Sequence, residues 1–160
     1  MPKFIINNST LFCMEVLTFD DSKTNYDELW CKIHLKIENY YLKFDKTEEY
    51  LMPSEVKRII TTFEKLLKGE LKKETKLYFA EPEISFSFQP SKKIPVKKNW
   101  EGKKDYVMSP PSIDISIEFP NDIGVYCCET WTFSIMDNEI ELFYNQLVEE
   151  VKKAKRNLKK

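Results

Sequence analysis

Four kinds of side chain in this 160-residue chain could carry chemistry: a histidine, cysteines, carboxylates and a lysine-rich stretch holding aromatic rings. His34 is the one histidine. A two-histidine metal site is therefore excluded, and a general base would need an orienting carboxylate or a nucleophile close by. Its strand neighbours, Lys32 and Lys36, are neither. Cys13, Cys31, Cys127 and Cys128 have no CxxC spacing. The vicinal pair would diverge on a strand, where successive residues point to opposite faces. Asp114 and Glu118 share one strand face but stand roughly 13 Å apart at ~3.3 Å per residue, too far for a glycosidase pair. Trp100 and Tyr106 among lysines resemble the stacking platform of a single-strand nucleic-acid binder, yet two rings in a loop-like segment fit a solvated loop better. The three glycines, Gly69, Gly102 and Gly124, stand too far apart for a P-loop or dinucleotide fingerprint.

Charge is the more informative property. The formal net charge is −1, but the signs are segregated. From Asp105 to Val151 there are ten carboxylates and no lysine or arginine. Basic residues gather on either side, at Lys92, Lys93, Lys97, Lys98, Lys103 and Lys104 and again from Lys152 to Lys160. Local fields of this kind act on partners, whatever the net charge. A solvated sheet face and a partner-facing acidic surface are both open readings.

Hydrophobic periodicity supplies the elements that must position these groups. Leu11 to Phe19 reads as a strand with Phe12, Met14 and Val16 on one face. In Trp30 to Ile37, Cys31, Ile33, Leu35 and Ile37 alternate with Lys32, His34 and Lys36, and Tyr40, Leu42 and Phe44 continue into a third strand. This period of two marks a half-buried antiparallel sheet. Val56, Ile59, Ile60, Phe63, Leu66 and Leu67 then follow helical spacing, with Ser54 as the expected N-cap and Gly69 as the stop. Burying those six side chains contributes on the order of 10 kcal/mol gross, and a helix this short needs a sheet to dock on.

Strands resume at Leu77 to Phe79 and Ile84 to Phe88. Residues 89–111 form a lysine- and proline-rich excursion without clear period, expected to be a long loop. Ser112 to Phe119 is the cleanest strand, with Ile113, Ile115, Ile117 and Phe119 opposed to Ser112, Asp114, Ser116 and Glu118. After a turn at 121–124, Tyr126 to Ile135 is its partner strand. A long helix spans about Asn138 to Arg156, and residues 152–160 form a basic tail.

The reading is one α+β domain over residues 1–160: an antiparallel sheet of about six to seven strands, with two helices packed on one face and a polar face left open. An apolar share of 42% with eleven Phe, eight Tyr and three Trp can fill such a core. No apolar run approaches a membrane span or a signal-peptide core, and the cysteines read as buried reduced thiols. A cytoplasmic protein without cofactor, metal or catalytic machinery is expected.

The run Tyr78-Phe79-Ala80-Glu81-Pro82-Glu83-Ile84-Ser85-Phe86-Ser87-Phe88 resembles the FLEPELSFEF segment of the WapI-like immunity family. In that family small bacterial proteins neutralise the toxic C-terminal domains of wall-associated, contact-dependent toxins. The element order around the segment is similar too, over about Leu11 to Val151. The chain departs from the family pattern between Asp45 and Met52, where an Asp-Pro-Cys-Leu-like turn is usual, and its lysine-rich insertion is longer. The resemblance implies a non-catalytic immunity protein whose partner is a cognate bacterial toxin domain; on the residues themselves no membrane partner is expected, and nucleic acid is the less favoured one.

A toxin that cuts nucleic acid has a basic groove, and an acidic surface would pair with it and speed association. The residues expected to supply that surface are Asp114 and Glu118 on the outward strand row, Asp122 in the adjoining turn, and Glu129. The last shares a strand phase with Trp131 and Phe133. The alternatives are a ligand-binding or regulatory domain using the open polar sheet face, an enzyme relying on carboxylates without a histidine base, and an RNA-binding module using the lysine loop and tail.

Overall fold

The structure is a computed structural model that describes residues 3–6, 10–22, 30–38, 40, 43–80, 84–95, 106–119, 129–136 and 138–157. Its elements follow the order β1 (Lys3–Ile6), β2 (Thr10–Val16), β3 (Cys31–Glu38), β4 (Lys43–Leu51), α1 (Pro53–Leu67), β5 (Thr75–Leu77), β6 (Ile84–Gln89), β7 (Lys92–Pro95), β8 (Tyr106–Ser109), β9 (Ser112–Phe119), β10 (Glu129–Met136) and α2 (Asn138–Asn157). The class is α+β, with every strand pair antiparallel. Instead of one sheet of six to seven strands there are two four-stranded sheets, in the orders β1-β2-β3-β4 and β10-β9-β6-β5, and a two-stranded ribbon, β7-β8. The edge strands β1 and β10 run side by side.

Alternation fills the inner faces as the sequence requires. Phe12, Met14 and Val16 stand opposite Ile37, Leu35 and Ile33, and Ile113, Ile115 and Ile117 stand opposite Phe88, Phe86 and Ile84. All are buried. The helices cover these faces with Val56, Ile59, Phe63 and Leu66 from α1 and Ile140, Phe143, Leu147 and Val151 from α2. Helix α1 rests on β6, while α2 rests on β2 and β10 and against α1. Tyr144 closes the helix pair by donating from its hydroxyl to Glu64 Oε1 at 2.8 Å. Burial, with that hydrogen bond to a carboxylate, raises the phenol pKa.

Three local expectations change. Strand β4 begins at Lys43 and runs to Leu51, later than the alternation of Tyr40 and Leu42 suggests, and Tyr40 is 91% exposed. A bulge between Cys31 and Lys32 shifts its register, so Leu51 meets Cys31 in the core while Asp45, Lys46, Glu48 and Glu49 keep the edge charged. The N-cap of α1 is Met52, not Ser54. Pro53 already holds a helical φ and lacks the N–H that the first turn would leave unpaired, so the helix starts at the proline. The excursion at 89–111 is no loop in its described part, since Lys92–Pro95 pairs with Tyr106–Ser109.

The helix stop at Gly69 holds. Gly69 takes φ +68°, and the Glu70 and Gly69 amides donate back to the carbonyls of Lys65 and Leu66 at 2.8 and 3.0 Å. This paired closure needs a residue tolerant of the left-handed region. Cys13 and Cys31 are buried, while Cys127 and Cys128 lie outside the described residues. No helix among the described residues is long and apolar enough to cross a membrane.

Asp21 ties the loop after β2 to both helices. Its Oδ2 lies 2.8 Å from Lys155 Nζ of α2 and 3.0 Å from Lys57 Nζ of α1. Hydrogen bonds from Lys155 and then Lys57 lower its pKa from 3.8 to about 2. Such a carboxylate stabilises the fold above its unfolded pKa, and the contribution disappears as pH falls from 3.8 toward 2. With the carboxylate 31% exposed, solvent screening limits the effect to about 1 kcal/mol. Urea titrations of Asp21→Asn should show that loss at pH 7, shrinking as pH falls from about 4 through 2 and weakening in high salt; a pH-independent difference would refute the linkage.

Candidate functional site

The outward face of the β10-β9-β6-β5 sheet is built from small hydroxyl and carboxylate side chains. It exists because the residues between the buried isoleucines of β9 are Ser112, Asp114, Ser116 and Glu118, each partly exposed. Register brings Ser134 of β10 and Ser87 of β6 to either side of Asp114, and Thr132 and Ser85 to either side of Ser116. The Ser134 hydroxyl donates to Asp114 Oδ1 at 2.6 Å, and Gln89 Nε2 donates to Oδ2 at 3.3 Å. Ser116 and Thr132 share a hydroxyl hydrogen bond of 3.0 Å. Toward β5 the face dips into a shallow open depression of about 330 Å³, lined by Lys76, Tyr78, Ser85, Phe86, Ser87 and Ser116.

The four sequence-derived acidic candidates are only partly brought together. Asp114 and Glu118 share the outward row of β9, opposite Ser134 and Thr130. Glu129 pairs with Phe119, in the alternate phase to that row. Asp122 lies outside the described residues. Other acidic residues of the charge-segregated segment have local employment. Glu149 and Glu150 bond Lys152 and Lys153 at 2.8 Å each, which lowers the Glu149 pKa. Glu139 and Glu141 occupy the first turn of α2, where carboxylates complement the helix dipole. Asp114 and Glu118 have no lysine or arginine partner among the described residues.

The outward face of the other sheet is charged but internally paired, and nothing in the local sequence around His34 signals its partners. His34 Nε2 is 2.8 Å from Asp45 Oδ1 on β4, and Nδ1 is 3.7 Å from Glu15 Oε2 on β2. Antiparallel pairing supplies both, because Glu15 and Thr47 stand across from His34 and Asp45 sits two pairs along, on the same face. The His34 hydrogen bond is the main cause of a lowered Asp45 pKa. Lys36 reaches Glu38 at 3.1 Å, and that bond raises the lysine pKa. Among the described residues no three His, Cys, Asp or Glu side chains form a group suited to a metal ion.

One buried carboxylate was not singled out from the sequence. Glu55, 6% exposed, accepts the Met52 N–H through Oε2 and the Ala80 N–H through Oε1, both at 2.8 Å. It thus caps α1 and pins the chain where the Tyr78–Phe88 run begins. Phe79 rests edge-on against Phe86 at 6.0 Å, which leaves Tyr78 67% exposed beside the depression. The signal was present: a carboxylate two residues after a helix-starting proline is the acidic half of a capping box.

The chain matches the immunity protein WapI-like family over residues 3–155, and it belongs to that family. No characterised protein and no solved structure shows significant similarity to it. The match includes both sheets, both helices and the Tyr78–Phe88 run held by Glu55. Glu55→Ala should lower stability by about 2 kcal/mol, because two amides lose their acceptor in a buried site. Glu55→Gln, which retains one amide oxygen, should cost less; equal midpoints for wild type and Glu55→Ala in urea would show that the two bonds contribute nothing.

Proposed function

We propose that this protein is a non-catalytic immunity factor that binds and neutralises a cognate toxin domain, and that the toxin is a nuclease. Membership of an immunity family over nearly the whole chain supports the first part. The site chemistry supports the second. Asp114 and Glu118 project from a sheet face rich in small hydroxyls, and neither forms an ion pair with a described lysine or arginine. A basic groove shaped for phosphates is the surface such charges would meet. Pairing there would speed association and keep substrate out. The hydroxyls around Asp114 hold its carboxylate in place, which limits the entropy lost on binding. Asp122 extends the acidic surface in this reading, whereas Glu129 pairs in the alternate phase.

The second reading is a ligand-binding or regulatory domain. The depression beside Lys76, Tyr78 and Ser116 favours it, although its openness and the small size of its serines leave little to enclose a ligand.

Affinity capture of the tagged protein from its native cells, followed by mass spectrometry, should recover a toxin domain in stoichiometric amount and with salt-sensitive retention. Combined Asp114→Lys and Glu118→Lys substitutions should slow association with that domain by about tenfold or more at low ionic strength and flatten its salt dependence. The substitutions lie on the partly exposed sheet face, so the melting temperature should barely move. Unchanged association kinetics would eliminate this acidic row, and a protein that melts higher with a small molecule but captures no toxin would favour the second reading.

A further inference from the structure

Strands β6 and β7 on one side and β8 and β9 on the other form a single long hairpin. Residue pairing keeps one register from Ile84–Ile117 through Gln89–Ser112 to Lys92–Ser109 and Pro95–Tyr106. By the same count Pro90 faces Pro111. Prolines have no N–H to give to a ladder, so the backbone bonding lapses there and resumes beyond them. The result is an arm that leaves the sheet carrying side chains the core does not cover. Ile94 and Val107 stand opposite one another on one face of the ribbon, and Tyr106 and Met108 stand opposite Pro95 and Lys93 on the other; the four apolar side chains are 51%, 57%, 56% and 56% exposed. Two strands alone are marginal in water, and large apolar side chains on such a ribbon are the kind of surface a partner covers.

The alternation links this arm to the acidic row. Even-numbered positions from Tyr106 through Met108, Ser112, Asp114 and Ser116 to Glu118 share one phase, opposite to the buried Ile113, Ile115 and Ile117. At ~3.3 Å per residue Met108 and Asp114 are no more than about 20 Å apart, and Tyr106 and Glu118 no more than about 40 Å. A standard interface of about 800 Å² per partner is roughly 30 Å across, so one partner can meet Met108 and Asp114 together, and an elongated one reaches both ends. We infer that Tyr106 and Met108, on one face of the β7-β8 arm beside Lys93, supply the apolar contacts of the toxin-binding surface. Tyr106 and Met108 anchor the partner, while Asp114 and Glu118 steer it. This rests on the immunity reading above, and it specifies a partner whose basic region adjoins an apolar patch. Aromatic and methionine side chains are enriched at such contacts, where few residues carry most of the affinity.

The roles separate kinetically, which makes the inference testable with the toxin domain recovered by capture. Combined Tyr106→Ser and Met108→Ser substitutions should weaken its binding by about 30-fold, chiefly through faster dissociation, with association changed by no more than about threefold. Because both side chains are more than half exposed, the melting temperature should stay the same. Affinity within about twofold of wild type overturns the arm's role, and it leaves the acidic row standing if Asp114→Lys with Glu118→Lys still slows association. Two controls assign the occupant. A wild-type dimer in sedimentation velocity that the same serine substitutions dissolve would make the arm a self-association element. Arm-dependent binding of a labelled single-stranded RNA 20-mer would make it a nucleic-acid contact. Either result overturns the inference.

Discussion

The fold depends on a chain of phenylalanine rings that joins the two four-stranded sheets. Phe12 of the first sheet lies 6.3 Å from Phe143 of α2, which stacks at 5.3 Å on Phe63 of α1. Phe63 meets Phe88 of the second sheet edge-on at 5.0 Å, and Phe88 stacks on Phe86 at 6.1 Å. Every ring in that path is buried. Aromatic contacts of this kind add about 0.5–1.5 kcal/mol per pair beyond area burial. Their larger effect is geometric: both helices must lie on the same side, since only there can their rings reach both sheets.

Committing one side to rings leaves the other to polar side chains, and the two sheets use that face differently. On β2, β3 and β4, charges of opposite sign stand next to one another, so Glu15, His34, Asp45, Lys36 and Glu38 satisfy each other. On β9 and its neighbours the polar residues are mostly serine and threonine. They can hold a carboxylate by hydrogen bonds but cannot neutralise it. Opposite charges thus pair with one another on one sheet, while on the other the carboxylates sit among hydroxyls.

The legibility of each part follows from the range of the interaction behind it. The isoleucines of β9 and the stripe of α1 were readable because burial imposes a local period of two or 3.6. The outward placement of Asp114 and Glu118 followed from the same period. The division into two sheets was not readable, because it depends on where β1 and β10 lie relative to each other. The partners of His34 were hidden for a similar reason: its sequence neighbours are lysines, but its spatial neighbours are carboxylates from β2 and β4. The β7-β8 ribbon escaped notice because paired prolines and lysines break the alternation that marks a strand.

Sequence alone determined the α+β class, both helices, the Gly69 stop, the inward and outward phases of β3, β6 and β9, and the segregation of charge. These are properties of residue type and spacing, set by backbone geometry within a few residues. Tertiary structure alone decided which charges cancel. Asp45 meets His34, and Asp21 meets lysines from both helices, whereas among the described residues Asp114 meets a serine hydroxyl and a glutamine amide. It also decided that Glu55 should join the start of α1 to Ala80. A carboxylate's environment is set within a few ångströms by chain segments tens of residues away, and no local pattern encodes which segment arrives.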